Sequence, residues 1–309
     1  MLSIRRGTDH GMQRLDAPEP GCWLHAVAPS EEDLEAIRRF GVPATLLSHV
    51  DDPDERPRVE HLDQVALVVV HCPVRRSATA GAPFATSPLS VFLLPQGVVT
   101  VAARPVEFLE PLLSGTIPGV SPTRATEFVL RIFWQIADAY LDAVREINTS
   151  VEQLEDQLKR SLRNEEVLGL LDYQKSLTYF ATGMGANELV LERLQRTPAL
   201  RLDEHDQELL DDVRVEVRQA IEMVDISDNI LSQMMDAFAS IVSNNLNSVM
   251  KVLTSVTILL AIPTLIASLY GMNVALPGAR VAHAFGAILL LCFALSALLF
   301  LVFRRRNWL

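Results

Sequence analysis

Asn244–Asn273, reading NNLNSVMKVLTSVTILLAIPTLIASLYGMN, decides how the rest of the chain must be arranged. From Val252 to Leu269 it carries no charge, and about 20 such residues cross roughly 30 Å of hydrocarbon as a helix. Stepping by three and four, one line of positions runs Asn247, Met250, Thr254, Thr257, Ala261, Thr264, Ser268, Gly271. Apart from Met250 these are small or polar, while the other faces carry Val, Ile and Leu. Lipid cannot satisfy hydroxyls and amides, so the stripe faces another helix or water. Close packing is one reading, with the hydroxyls bonding back to their own helix carbonyls. The other takes its support from the end of the segment. There Tyr270, Gly271, Met272 and Asn273 put an amide beside the C-terminal end of the helix dipole, whose free carbonyls favour a cation.

Working outward, the charges fix a topology. Lys251 precedes this span. A short segment, 274–282, follows it, with Arg280 as its one charge, and 283–303 is a second uncharged, Leu-rich span without a polar stripe, which should face lipid and shield the first. Arg304, Arg305 and Arg306 close it. By the positive-inside rule both termini are cytoplasmic. The N-terminus, MLSIRRGTDHGMQRLD, has no apolar run behind its arginines and does not read as a signal peptide. Cys22, Cys72 and Cys292 have no paired spacing and suit a reducing compartment.

Upstream, Asp203 opens a helix that nothing breaks before Tyr270 except Pro263, inside the apolar span, where a kink is tolerated. At 1.5 Å per residue it is roughly 100 Å long, several times a bilayer core. Leu210, Val213, Val217, Ala220, Val224, Leu231, Met234, Phe238 and Ile241 keep a seven-residue rhythm, the pattern of a helix laid along a neighbour. Between Asp203 and Asp236 this helix carries eleven acids against Arg214 and Arg218, so much of the formal net charge of −11 sits on it. Most of these carboxylates read as a solvated face. Were copies of the helix to ring an axis, they would repel until a divalent cation bridged them.

The first two hundred residues predict an α/β domain. Trp23 to Val27 is a short apolar run. Ser30, with Glu31, Glu32 and Asp33, opens a helix ending near Phe40 and Gly41. Val65 to His71 is β-branched, and Leu89–Leu94, Pro95-Gln96-Gly97 and Val98–Ala103 form an antiparallel meander. Ser121-Pro122 predicts a helix start with Pro at the first helical position, running to about Arg163. A break at Asn164 and a second helix to about Arg196 complete an antiparallel pair packed on the domain. His25, His49, His61 and His71 read as structural, and no catalytic or phosphate-binding motif is present. Asp51, Asp52, Asp54 and Glu55 read as a solvated loop, with a part in an intracellular cation site as the alternative.

The run Tyr270-Gly271-Met272-Asn273, at the end of the first of two C-terminal spans, resembles the signature of the CorA magnesium-channel family, in the wider two-helix Gly-x-Asn superfamily. Asn247, Met250, Lys251, Val252, Leu253, Thr254 and Thr264 fall where that family has them relative to Asn273, and the ending Arg304 to Leu309 is similar to its basic, Trp-Leu terminus. The resemblance is detailed from about Asp212 onward and architectural before it. It implies a funnel-shaped homopentamer in the bacterial cytoplasmic (inner) membrane, passive and driven by the membrane potential. Gly271, Met272 and Asn273 would form the filter, with Asn273 holding the ion through its bound water. Asn247, Met250, Leu253, Thr257, Ala261, Thr264 and Ser268 would line the pore, Met250 and Leu253 as an apolar constriction. It further implies that Asp212 binds a regulatory magnesium with an unnamed acid of the α/β domain of the next subunit, that Asp236 sits in an acidic ring at the inner mouth, and that Lys251 and Arg304–Arg306 form a basic ring.

The expected organisation is an α/β domain (1–120), a helical hairpin (121–202), a stalk continuing as the first membrane helix (203–273, span about 250–270), an outer loop (274–282), a second membrane helix (283–303) and a basic tail (304–309). The outer loop lacks the acids common in the family, which should weaken cation concentration at the mouth. Magnesium is the expected cargo and regulator, with no organic cofactor, no enzyme activity and no nucleic-acid partner. Zinc, cobalt or nickel transport is the alternative, and a membrane-tethered sensor or scaffold a third reading.

Overall fold

The computed structural model describes residues 1–8, 11–50, 52–77, 81–117, 120–160, 164–197, 202–274, 283–306 and 308. Its elements are β1 (Leu2–Thr8), β2 (Gly11–Leu15), β3 (Cys22–Val27), α1 (Glu31–Arg39), α2 (Ala44–Leu47), β4 (Arg58–Leu62), β5 (Val65–Arg75), β6 (Phe84–Leu94), β7 (Gly97–Ala102), α3 (Glu110–Leu113), α4 (Ala125–Arg160), α5 (Asn164–Gln195), α6 (Glu204–Tyr270) and α7 (Ala284–Arg305). The chain divides into two units, Met1–Gln233 and Met234–Leu309.

In the first unit seven strands form one sheet in the order β2-β1-β3-β7-β6-β5-β4. The expected meander occupies one half as β5, β6 and β7, continued by β4. In the other half β3 joins β7 in parallel and carries the β1–β2 hairpin. Gly97 makes the parallel junction possible. Its φ is +149°, and a Cβ there would lie 2.2 Å from the Cys22 carbonyl oxygen, a contact no side chain survives. The hairpin and β4 escaped the sequence reading because they lie at the two ends of the sheet and their side chains are mostly half-buried or exposed, so apolar alternation is weak there.

Alternation along the central strands sends side chains to two layers. Leu24, Leu67, Val69, Phe92, Val99 and Val101 meet Ile37, Phe40, Leu46 and Leu47 of the α1–α2 side in one core. On the other face Trp23 packs edge-on against Phe128 of α4, ring centroids 4.9 Å apart, and Tyr140 of α4 meets Phe180 of α5 at 5.0 Å. Helix α1 starts where expected, in a capping box between Ser30 and Asp33. Helix α4 does not. Pro122 was expected at the first helical position, but Ser121 to Arg124 close a turn through Arg124 N–H to Ser121 C=O at 3.1 Å, and the helix begins at Ala125. The turn is held against the hairpin, since a Cβ on Gly7 would touch Ser121 Oγ at 2.9 Å and Pro122 Cδ at 3.1 Å. The break was expected at Asn164, but Asn164 is the first residue of α5; positions 161–163 before it lie outside the described residues.

Helix α5 comes so close to the sheet that a Cβ on Gly183 would lie 2.8 Å from both Thr86 Cγ2 and Tyr140 Oη. One turn on, Asn187 completes the sheet. Strand β4 ends at Arg58, paired with Val69, so β5 runs on with one edge open. There Asn187 Oδ1 accepts the His71 N–H at 2.8 Å and its Nδ2 donates to the His71 carbonyl at 2.6 Å. A side-chain amide thus replaces the missing strand, as a buried backbone pair requires.

His25 and His71 are held by hydrogen bonds within this unit. His25 Nδ1 shares Thr100 Oγ1 with the Trp23 indole N–H, each at 2.8 Å, and His71 Nε2 donates to the Glu55 carbonyl at 2.9 Å. Burial, helped by Arg5 and the N-terminal amine, lowers the His25 pKa to about 4 from 6.5. The sign follows: below about pH 6.5 the unfolded chain takes up a proton that the folded chain refuses until about pH 4. Stability should therefore be lost as the pH falls through that window, by ~1.4 kcal/mol per unit and ~3 kcal/mol in all. Denaturant titrations of the detergent-solubilised chain from pH 7 to pH 4 should give this slope, and His25→Gln should flatten it. An unchanged slope in the variant places the effect on another group.

Helix α6 opens as the sequence indicates. Asp203 caps it through Asp206 N–H to Asp203 Oδ1 at 2.7 Å and Gln207 N–H to its carbonyl at 3.0 Å. Its seven-residue rhythm is buried from Leu210 to Phe238, with Met234 half-buried. The neighbour is α5, joined by Gln174 Nε2 to Ser232 Oγ at 2.9 Å and Arg218 to Glu188 at 3.8 Å. Ile241, expected in the same buried seam, is 45% exposed.

Candidate functional site

Among the described residues, α6 and α7 are the two helices long and apolar enough to cross a membrane, and the apolar part of α6 lies with α7 in the second unit. Helix α7 covers one side of α6: Leu259, Leu260 and Pro263 share an apolar groove with Leu289, Phe293, Ala297 and Phe300. Ser255 is fully buried, and Leu259, Ile262, Pro263 and Ile266 are half-buried. At about 100° per residue these positions fall on one side of the helix. The sequence stripe falls on the other. Asn247, Met250, Leu253, Thr254, Thr257, Ala261, Thr264, Ser268 and Gly271 are all exposed.

Thr257 Oγ1 donates to the Leu253 carbonyl and Thr264 Oγ1 to the Leu260 carbonyl, both at 2.8 Å. With the hydrogen committed to the backbone, each hydroxyl presents only lone pairs outward. Helix α6 ends in a tightened turn, Gly271 N–H to Ala267 C=O at 2.9 Å and Met272 N–H to Leu269 C=O at 3.3 Å. Its glycine does not use the left-handed conformation. Met272 and Asn273 follow, both exposed, and the Asn273 amide makes no hydrogen bond among the described residues. Positions 275–282, including Arg280 and most of the expected outer loop, lie outside the described residues.

The acids of α6 divide into two kinds. Near its start, Arg124, in the turn before α4, lies 2.9 Å from Glu127, 3.4 Å from Asp203 and 3.6 Å from the buried Asp206, so Asp203 and Asp206 join an ion-pair network while Glu204 and Glu208 beside them stay exposed. Asp228 has one buried oxygen without a partner, and burial first, then Asp225, raises its pKa. Asp212 and Asp236 are exposed and make no ion pair among the described residues. No group of three metal-ligating side chains forms among the described residues of the chain. Of the loop acids, Asp51 lies outside the described residues, Asp52 Oδ1 accepts the Asp54 N–H at 2.9 Å and Glu55 pairs with Arg58.

One feature had gone unread in the sequence. Val215, Ile226 and Ile230 are 65%, 53% and 54% exposed and lie across the helix from the seam that α5 covers. Their spacings of eleven and four residues return to one face, and Asp212, three residues before Val215, shares it. An apolar position outside the seven-residue rhythm was the available signal.

Lys251, Arg304, Arg305 and Arg306 are exposed. Helix α7 ends with Arg306 N–H on the Val302 and Phe303 carbonyls, and the chain folds back so that Trp308 N–H reaches the Phe303 carbonyl at 3.0 Å. The two rings stack at 5.6 Å, 4° from parallel.

Known proteins share this arrangement. The cobalt/magnesium transport protein CorA of Methanocaldococcus jannaschii is 27% identical over 292 residues, 93% of this chain and 90% of that protein. The protein of the same name from Thermotoga maritima is 24% identical over 187 residues, 60% of this chain and 53% of its own. The complete structure of the CorA magnesium transporter from Methanocaldococcus jannaschii superposes with a TM-score of 0.86 at 24% identity, over 100% of this chain and 99% of that one. A family model described as CorA-like Mg2+ transporter protein matches residues 19–305, a stretch that takes in the sheet, the long helix and both apolar spans. The chain therefore belongs to the CorA-like Mg2+ transporter family.

Proposed function

We propose that this chain is a passive magnesium channel, driven by the membrane potential and shut by magnesium on the cytoplasmic side, with cobalt as a second cargo, as the name of its Methanocaldococcus relative has it. The observation that carries the reading is the exposed polar stripe from Asn247 to Gly271, set on the side of α6 away from α7. One stripe cannot enclose a path, so several copies, five by family resemblance, turn it toward a common axis. The exposed face of Asp212, Val215, Ile226 and Ile230 supports this assembly, since apolar side chains on a long helix seek a second helix. Both termini lie in the cytoplasm, as Lys251 and Arg304–Arg306 favour.

Magnesium surrenders its water reluctantly, so the path must recognise a hydrated ion, whose first-shell waters point hydrogens outward. Acceptors suit them. Asn273 Oδ1 at the filter, and the outward lone pairs of Thr257 and Thr264, supply acceptors without stripping the shell. Met250 and Leu253 form an apolar constriction that closes by dewetting. A potential of 100 mV contributes roughly 4.6 kcal/mol per divalent ion. Asp212, carried on the face that meets the next copy, binds the regulatory magnesium, while Asp236 concentrates cations at the inner mouth.

Full-length protein in liposomes, with magnesium the sole permeant cation, should pass inward current under a negative interior potential and close as interior magnesium rises. Asp212→Lys should keep the current and lose most of that closure, shifting half-inhibition upward by about tenfold or more, the loss of roughly 1.4 kcal/mol of cation binding. Unaltered inhibition in the variant would remove Asp212 as the sensor, and absence of current in the parent protein would remove the channel.

A further inference from the structure

We propose that Arg304, Arg305 and Arg306, with Lys251 beside them, form a docking collar for anionic lipid headgroups of the cytoplasmic leaflet. The inference rests on the reading that α6 and α7 span the membrane.

Charge balance supplies the first argument. No Asp or Glu follows Asp236 in the sequence, so the apolar unit has no acidic side chain beyond Asp236 with which to pair its bases. Fifteen residues of helix separate Asp236 from Lys251, about 22 Å at 1.5 Å per residue, more than two Debye lengths at about 0.15 M salt. All four bases are exposed, and none has an ion pair among the described residues. Their charge is therefore open to counter-anions from the surroundings.

Geometry supplies the second. Leu259, Leu260 and Pro263 of α6 share one groove with Leu289, Phe293, Ala297 and Phe300 of α7. Lys251 precedes the first uncharged span and Arg304–Arg306 follow the second, so with each span crossing once all four bases lie on the same side of the membrane. Three successive arginines spread over about 200° of the helix circumference, which suits headgroups surrounding a helix better than a single ligand on one side. The chain end then turns back and stacks Trp308 flat on Phe303, with its N–H on the Phe303 carbonyl. That fixes an indole one residue below the first arginine, at the boundary depth where tryptophan is favoured. Guanidinium forks recognise phosphate oxygens in pairs, and basic clusters beside a membrane span attract anionic lipid by about fivefold per residue engaged.

The test measures lipid association directly. Full-length protein is reconstituted with spin-labelled phosphatidylglycerol or phosphatidylcholine, and the motionally restricted fraction of each is compared. The expected result is a several-fold preference for phosphatidylglycerol at low salt that falls toward none at about 1 M salt. It should be lost in the triple variant Arg304→Gln, Arg305→Gln, Arg306→Gln and kept in the corresponding triple lysine variant, which retains charge and controls for folding. No preference in the parent chain, or an undiminished one in the glutamine variant, overturns the proposal. So does displacement of the labelled lipid by inorganic phosphate where chloride of equal ionic strength has no effect, since the collar would then bind a soluble anion. Lipid preference without magnesium current would leave the collar standing and remove the channel reading, whereas current without preference would do the reverse.

Discussion

Asn273→Ala is expected to abolish magnesium uptake, reducing it by about a hundredfold or more while leaving the assembly intact. A hydrogen bond contributes about 1 kcal/mol net, and one lost from every copy around a shared axis multiplies, so several copies exceed the ~2.7 kcal/mol that a hundredfold requires. The side chain is well placed for a clean result. It is exposed and bonds to nothing else among the described residues, so its removal takes no support from the end of α6. Uptake is followed with a magnesium-sensitive dye inside liposomes, and the assembly by size-exclusion chromatography in detergent. Normal uptake by an intact variant assembly would sink the filter assignment.

Asn187→Ala should destabilise the first unit by about 2–4 kcal/mol, through the sheet rather than through transport chemistry. The truncation strips partners from both backbone groups of His71 in the open half of β5. The carbonyl keeps the Tyr140 hydroxyl at 3.3 Å, but the part-buried N–H is left without its partner. Each orphaned group costs about 1–3 kcal/mol, and the cavity left beside Gly183 adds to it. Thermal unfolding in detergent should begin roughly 5–15 °C earlier, and the His71 amide should exchange with solvent far sooner than its neighbours in β5. Unchanged melting and protection would mean that water or a shift of α5 replaces the amide.

Much of the assembly could be read from residues in order. The continuous apolar run of β5, the Ser30 capping box, the Asp203 start of α6 and the uncharged spans are local signals, fixed by periodicity and by which side chains satisfy nearby backbone groups. What was missed lay toward the two ends of the sheet. Strands β1, β2 and β4 bury little, so hydrogen bonding to neighbours defines them and alternation does not. Pro122 has the right chemistry for a helix start, yet the turn it occupies is set by its contact with Gly7, more than a hundred residues away. The polar stripe illustrates the division within the candidate site. Spacing alone gathered Asn247 to Gly271 on one line and left close helix packing and a water-facing side as competing readings; the tertiary structure adds that α7 lies on the opposite side of α6.

By itself, then, the sequence determined the elements, the two spans and the line of small and polar residues, because a helix or a buried strand reports its periodicity residue by residue. The tertiary structure alone decided which side of α6 is covered, which acids are tied to Arg124 and which remain exposed, and that a single asparagine stands in for an eighth strand. Those outcomes depend on the approach of segments far apart in the chain, and nothing in the local pattern of side chains records which partner will arrive.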